Sequence, residues 1–337
     1  MHKKIIFRAD AANLTSIGTG NLYRSIIISE VLKKKINLKK KEILFLTKID
    51  KKYSIAKKIL LQKKIQFHTL RSSISDYSIN ELNILKKYTS NLLIIDKYKK
   101  KIPKKFIIEL KKKHKKILLL DDISKARDLA DLSLNSMSYN VKKIKNNKTG
   151  YKYNLLPSYN FLLNKNKNKN NKKKNFLVFI FFGGYDKKKI TIKLLNNLLK
   201  QELKAKYLVN KIFKKNFSKI FYKNIIFFKS KDHYNYLHKA DLSINNGGLG
   251  MMDAIAFKKP TIAIAQYKHQ RINIENLNRS KVVFKAKFNE LITICNIIKK
   301  IKDKKIDIVA LKFRQNHIIN LSMMTNTFRM ICKLYDK

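Results

Sequence analysis

Twice along this chain, short and almost uninterrupted apolar runs alternate with lysine-rich stretches of helical length. In the first half the runs are KIIF (4–7), EILFLT (42–47), IQFHTL (65–70), NLLIID (91–96), KILLLDD (116–122) and DLSLN (131–135). The rhythm restarts with FLVFIFFGG (176–184), AKYLVN (205–210), NIIFFKS (224–230), ADLSINNGG (240–248) and PTIAIAQ (260–266). Runs of this length that do not alternate with polar residues are buried on both faces, which is the condition of parallel strands flanked by helices. The chain is therefore expected to be α/β, with two doubly wound domains. Between the two series, residues 164–175 are only Asn and Lys. Such a segment cannot bury apolar surface and repels itself, so it reads as a linker or long loop. The expected domains are 1–163 and 176–337, in keeping with a length of 337 residues and domains of about 100 to 200.

Charge is the most conspicuous feature of the composition, at 77 Lys+Arg against 22 Asp+Glu. Only eight of the 77 are arginine, and the lysines are spread along the whole sequence. Phosphates and guanines are read bidentately by guanidinium forks, whereas lysine is a hydrated point charge. The pattern fits biased residue usage and no specific nucleic-acid partner, with peripheral association to an anionic membrane surface as a secondary expectation. Cys295 and Cys332 do not make a disulfide framework or a zinc site. The apolar run at 176–182 has seven residues, far below the roughly 20 needed to span a bilayer. A cytoplasmic protein with no metal and no cofactor is expected.

Glycine is scarce, and seven of the eight fall in three places: Gly18 and Gly20, Gly183 and Gly184, and Gly247, Gly248 and Gly250. Each cluster follows an expected strand and precedes an expected helix, at the carboxyl edge of a sheet, where open α/β folds bind ligands. The first cluster lacks the third glycine of a dinucleotide fingerprint, since position 23 is Tyr. It can be a plain tight turn with Asn21 as the helix N-cap, or a turn that brings Asn21 and Arg24 to an anionic ligand. The third cluster joins Asn246, Gly247 and Gly248 to a short helix carrying Asp253, and then to Gln270. Amides before that helix can face a diphosphate while the carboxylate accepts from two ribose hydroxyls, a layout suited to a nucleoside diphosphate.

The order and spacing of several motifs resemble the UDP-2,4-diacetamido-2,4,6-trideoxy-β-L-altropyranose hydrolases of pseudaminic acid synthesis and their spore-coat polysaccharide relatives, within the GT-B superfamily. Phe7-Arg8-Ala9-Asp10 matches the family's FRxD, and residues 18–24 match its GxGHxxR except that Asn21 stands for the histidine. Asp96-Lys97-Tyr98, Asp121-Asp122, Gly183-Gly184, and Gly247-Gly248 with Asp253 and Gln270 stand in the family's order. The resemblance implies two Rossmann-like domains in a GT-B arrangement with an interdomain cleft, acting on a UDP-sugar partner. It implies nucleotide binding by Gly183, Gly184, Asn246, Gly247, Gly248, Asp253 and Gln270, and sugar binding by Gly18, Gly20, Arg24 and Tyr98. The family's histidine is its catalytic base, and a carboxamide cannot take that proton. For hydrolysis Asp10 and Asp96 are then the candidate bases, each with the alternative of a structural or capping carboxylate, and Asn21 would orient water or sugar. Three readings follow: a UDP-aminosugar hydrolase in surface polysaccharide or pseudaminic-type acid synthesis, a GT-B glycosyltransferase with a UDP-sugar donor, or a binding homologue without catalysis.

Overall fold

The computed structural model describes residues 2–12, 17–50, 53–97, 101–137, 144–164, 175–183, 186, 189–201 and 203–336. The chain divides into two compact units, Met1–Pro157 with Ser322–Lys337, and Ser158–Leu321.

In the first unit seven parallel strands form one sheet: β1 (His2–Ala9), β2 (Ile43–Ile49), β3 (Phe67–Arg71), β4 (Thr89–Asp96), β5 (His114–Leu120), β6 (Leu132–Asn135) and β7 (Asn147–Thr149), in the order β3-β2-β1-β4-β5-β6-β7. Helices α1 (Gly20–Lys35), α2 (Ser54–Gln62), α3 (Ile79–Lys86) and α4 (Lys104–Lys111) connect them. Successive side chains of a strand point to opposite faces. Ile6, Leu93 and Ile117 accordingly pack with Leu82, Leu85, Phe106 and Leu110, while Phe7 stacks on Phe45 with ring centroids 4.6 Å apart. Both faces are covered, as the uninterrupted apolar runs require.

The second unit contains α5 (Tyr159–Leu163), β8 (Phe176–Phe181), α6 (Ile190–Leu199), β9 (Ala205–Asn210), β10 (Ile225–Phe228), α7 (His233–Lys239), β11 (Leu242–Asn245), α8 (Leu249–Ala256), β12 (Thr261–Ile264), α9 (Lys268–Arg279), β13 (Phe284–Ala286), α10 (Leu291–Lys302) and α11 (Ile308–Ile318). Its six strands are parallel in the order β10-β9-β8-β11-β12-β13. One face packs Val178 and Ile180 against Leu194, Leu198, Ile294 and Ile298. The other packs Phe179 and Leu208 against Phe228, Leu237 and Ala254.

The division differs from the expected boundaries at 163 and 176 in two places. Helix α5 belongs to the second unit because Phe161 packs on Tyr234 and Phe257, at centroid distances of 6.0 and 5.6 Å. Helix α12 (Leu321–Asp336) belongs almost wholly to the first, where Met324, Phe328 and Ile331 are buried and Thr327 Oγ1 donates to the Lys152 carbonyl at 3.5 Å. Strands β7 and β13, absent from the expected series, are three-residue edge strands, NKT and FKA. An edge strand needs no continuous apolar run.

One phrase occurs once in each unit, Ala130-Asp131-Leu132-Ser133-Leu134-Asn135 and Ala240-Asp241-Leu242-Ser243-Ile244-Asn245. Asp131 clamps Ile117, accepting from its amide at 2.8 Å and donating its own amide to its carbonyl at 3.0 Å. Asp241 clamps Leu177 in the same two bonds, at 2.8 Å each. Asn135 and Asn245 then donate to Ser133 and Ser243 two residues back, at 3.1 and 2.6 Å. The aspartate fixes the start of the strand against its neighbour, and the Ser–Asn bond gives each buried carboxamide an acceptor for its NH2 group.

Candidate functional site

Strand order reverses between β8 and β11 in the second unit, and ligands of open α/β sheets bind outside the carboxyl ends at such a point. Gly183 follows β8 with φ of +89°, a conformation that glycine adopts without steric cost. Its turn is braced by Asn246 Nδ2, which donates to the Phe182 carbonyl at 3.0 Å, and by Gln266 Nε2, which donates to the same oxygen at 3.3 Å. Asp186 caps α6, accepting from the Ile190 and Thr191 amides at 3.0 and 2.7 Å. Gly184 lies outside the described residues.

After β11 the chain passes Asn246 and Gly247 to Gly248, the N-cap of α8. The Gly248 amide donates to Asn246 Oδ1 at 3.3 Å. Gly247 is required by a neighbouring segment of the chain itself: a Cβ there would stand 2.6 Å from the Gln270 carbonyl oxygen and 2.9 Å from Ile274 Cγ1, both on α9. Gln270 is buried, and its Oε1 accepts from the Gln266 amide at 2.9 Å. Gln270 thus holds the end of β12 against the glycine turn. His269, beside it, is exposed and stacks on Tyr267.

Asp253 sits in the second turn of α8 and is 3% exposed. One carboxylate oxygen accepts from the Ser158 amide at 3.3 Å. Burial raises its pKa to about 7, against the lowering effect of Ser158. The expected ribose acid is therefore an interior carboxyl that titrates near neutrality, already holding one backbone donor.

In the first unit, the expected residues gather at the carboxyl ends of β1, β4 and β5 in buried ion pairs. Arg24, from α1, forks onto Asp96 at 2.8 and 2.6 Å and reaches Asp121 at 2.6 Å. Asp121 also accepts from the Ser136 amide at 2.8 Å. Burial opposes the guanidinium charge, but Asp96 and then Asp121 outweigh it, and the pKa of Arg24 rises. The fork is spent on two carboxylates and is not free to receive an anion. Asp10 is paired likewise, with Arg8 at 2.5 Å and the Lys48 amide at 2.8 Å. Burial works to raise the Asp10 pKa, but Arg8, followed by Lys97 and the Lys48 amide, holds it below the usual carboxylate range. A carboxylate so stabilised in its charged form is a weak proton acceptor.

Asn21 is half-buried in the first turn of α1. It is not the N-cap: Thr19 holds that position, and its carbonyl accepts from Tyr23 at 3.1 Å. Gly20 opens the helix. Gly18 is exposed and has no positive φ, and a Cβ added there would meet nothing within 4 Å. Tyr98 lies outside the described residues.

Sequence reasoning missed a second buried cluster around Arg8. Glu81 binds Arg8 Nε at 2.6 Å and Lys97 Nζ at 2.7 Å. Asp76 binds Lys48 at 2.8 Å and Lys97 at 2.7 Å. Three cations balance Asp10, Asp76 and Glu81. The available signal was Arg8 itself, a charge directly after the apolar run Ile5-Ile6-Phe7, which must find partners when buried. Among the described residues no group of three or more His, Cys, Asp or Glu could hold a metal ion, and no helix is long and apolar enough to cross a membrane.

No protein-family model matches the chain, and no curated protein matches it in sequence. Solved structures do resemble it. Acinetobacter baumannii MurG superposes with a TM-score of 0.61 at 9% identity, covering 99% of each chain. UDP-GlcNAc 2-epimerase from Neisseria meningitidis, bound to UDP-GlcNAc, gives 0.58 at 10% identity over 99% of each chain. Anabaena Alr3699/HepE in complex with UDP-glucose gives 0.53 at 13% identity, over 98% of this chain and 99% of that one. At such identities the likeness is one of fold. With parallel sheets of seven and six strands in Rossmann-like units, the chain has a GT-B-like fold.

Proposed function

We propose that the protein is a nucleotide-sugar enzyme that binds a UDP-sugar through its second unit and transfers the glycosyl group to an acceptor, releasing UDP. The observation that carries this reading is the carboxyl edge between β8 and β11. There the left-handed turn at Gly183, the start of α8 and the interior carboxyl of Asp253 occur together. Amides of a first helical turn have no acceptor within the helix and favour a diphosphate. Such donors also stabilise the charge that develops as UDP departs, without a metal. Asp253, once ionised, accepts from ribose hydroxyls. Solved structures of the same fold hold UDP-glucose and UDP-GlcNAc, which supports the choice of ligand class.

Transfer is preferred to hydrolysis because solved structures of the same fold include glycosyltransferases. Either nucleophile, water or an acceptor hydroxyl, must give up a proton, position 21 supplies no base for it, and the carboxylates nearest in the motif, Asp10 and Asp96, are held by arginines. The hydrolase reading keeps the support of the FRAD and GxGNxxR motifs, in which only position 21 departs.

Calorimetric titration with UDP tests the nucleotide site: binding by the wild type and a loss of at least tenfold in Asp253→Ala are expected, and no binding by the wild type refutes the reading. UDP release from UDP-aminosugars, with and without cytosolic or lipid acceptors, tests the reaction. Release only with acceptor is expected. Release in water alone, or a rate unchanged by acceptor, returns the chain to the hydrolase reading, and Asn21→His then shows whether that position limits water activation.

A further inference from the structure

Between β9 and β10 the chain runs through two successive 3-10 turns, Lys211–Asn216 and Lys219–Asn224. Both carry the sequence Lys-Ile-Phe, at 211–213 and 219–221. In each copy the phenylalanine turns inward: Phe213 and Phe221, with Tyr222 and the buried Phe217, pack on the core of the second unit. In each copy the isoleucine is left in solvent, Ile212 at 64% and Ile220 at 71% exposure. The two turns are tied together by Tyr222, whose hydroxyl donates to the Lys214 carbonyl at 3.3 Å while Lys214 Nζ lies 5.1 Å from the Tyr222 ring centroid.

The same two turns carry Lys211, Lys214, Lys215, Lys219 and Lys223, all exposed, and residues 203–231 contain no acid. Single exposed apolar residues need no explanation. A pair held outward by inward anchors, within a field of unopposed lysines, is the composition that a negatively charged lipid surface binds: the branched side chains enter the acyl boundary and the ammonium groups meet the phosphates. Duplex nucleic acid would use the lysines but gain nothing from isoleucine. We propose that the β9–β10 crossover docks the protein on an anionic phospholipid bilayer, with Ile212 and Ile220 as the inserted residues. The inference rests on this surface alone and holds whatever reaction the protein catalyses.

The test uses the full chain with vesicles of phosphatidylcholine, alone or mixed with phosphatidylglycerol, followed by co-sedimentation. The wild type should sediment only with the anionic vesicles. Ile212→Ser/Ile220→Ser, which leaves the charge unchanged, should lower that partition at least tenfold, whereas Ile292→Ser/Val309→Ser, at residues that are even more exposed elsewhere, should lower it less than threefold. Replacing Lys214, Lys215, Lys219 and Lys223 by Gln should act far more strongly than replacing Lys299, Lys300, Lys304 and Lys305. Equal losses from the two lysine sets, or wild-type partition by the isoleucine variant, overturn the proposal. So does a patch-lysine variant that loses duplex binding but keeps vesicle binding. Acetylation footprinting of the wild type needs no variant: anionic vesicles should protect the five crossover lysines more than those of α10, and uniform protection is a refutation.

Discussion

Asp253→Asn separates what the interior carboxyl does for the fold from what it does for a ligand. With a pKa of about 7 in the native protein against 3.8 for the ordinary carboxyl, the folded chain holds a proton that the unfolded chain has lost between those values. The pKa is raised on folding, so the sign is unambiguous: stability falls as pH rises from about 4 to about 7, then levels off. Three units correspond to roughly 4 kcal/mol lost by pH 8, of which somewhat less than half is already lost at pH 5. Asparagine has no such titration and keeps an oxygen for the Ser158 amide, though its buried amino group costs about 1–2 kcal/mol if it finds no acceptor. That cost is the same at both pH values. The stability of Asp253→Asn relative to wild type should therefore improve by about 2–3 kcal/mol between pH 5 and pH 8, and the variant should be the more stable protein at pH 8. Urea unfolding followed by far-UV circular dichroism measures it. A gap that does not move with pH refutes the reasoning. The same variant should bind UDP more weakly than wild type, and wild-type affinity should rise with pH through about 7, because ribose hydroxyls need the ionised form as acceptor.

Two further outcomes follow from the geometry. Arg24→Ala leaves Asp96 and Asp121 buried without their cation and should cost about 3–5 kcal/mol at neutral pH. The loss should shrink on acidification, as the carboxylates take up protons; an equilibrium unfolding loss below about 1 kcal/mol would mean that the fork is not structural. Gly247→Ala forces a Cβ against the Gln270 carbonyl and should cost about 1–3 kcal/mol, whereas Gly18→Ala, in open space, should be neutral or slightly stabilising. Equal thermal shifts for the two would remove the distinction drawn between the clusters.

The interior strands were legible because burial on both faces leaves continuous apolar runs, and every such run became a strand. The edge strands NKT and FKA were not, since pairing on one side alone imposes no such composition. Glycine scarcity located the β8–β11 edge correctly, but the reason for Gly247 was invisible: the atom that excludes a side chain belongs to Gln270, brought there only by the fold. The pairing of the charges was hidden for a related reason. Arg24, Asp96 and Asp121 stand far apart along the chain. Their ion pairing is a property of two strand ends and a helix, with Arg24 72 and 97 residues from its partners in sequence. Asp131 and Asp241 show the converse, a local phrase whose two copies do the same work in both units and which could have been found by comparing the halves of the chain.

The return of α12 to the first unit makes the second an insertion between two parts of its neighbour. During translation all of Ser158–Leu321 emerges before Met324, Phe328 and Ile331 exist to close the hydrophobic surface they cover. The unit made first is thus the one finished last, and until the ribosome reaches those residues its nascent form presents a bare apolar seam. Chaperone engagement of the growing polypeptide should track that seam rather than the order in which the sheets are synthesised.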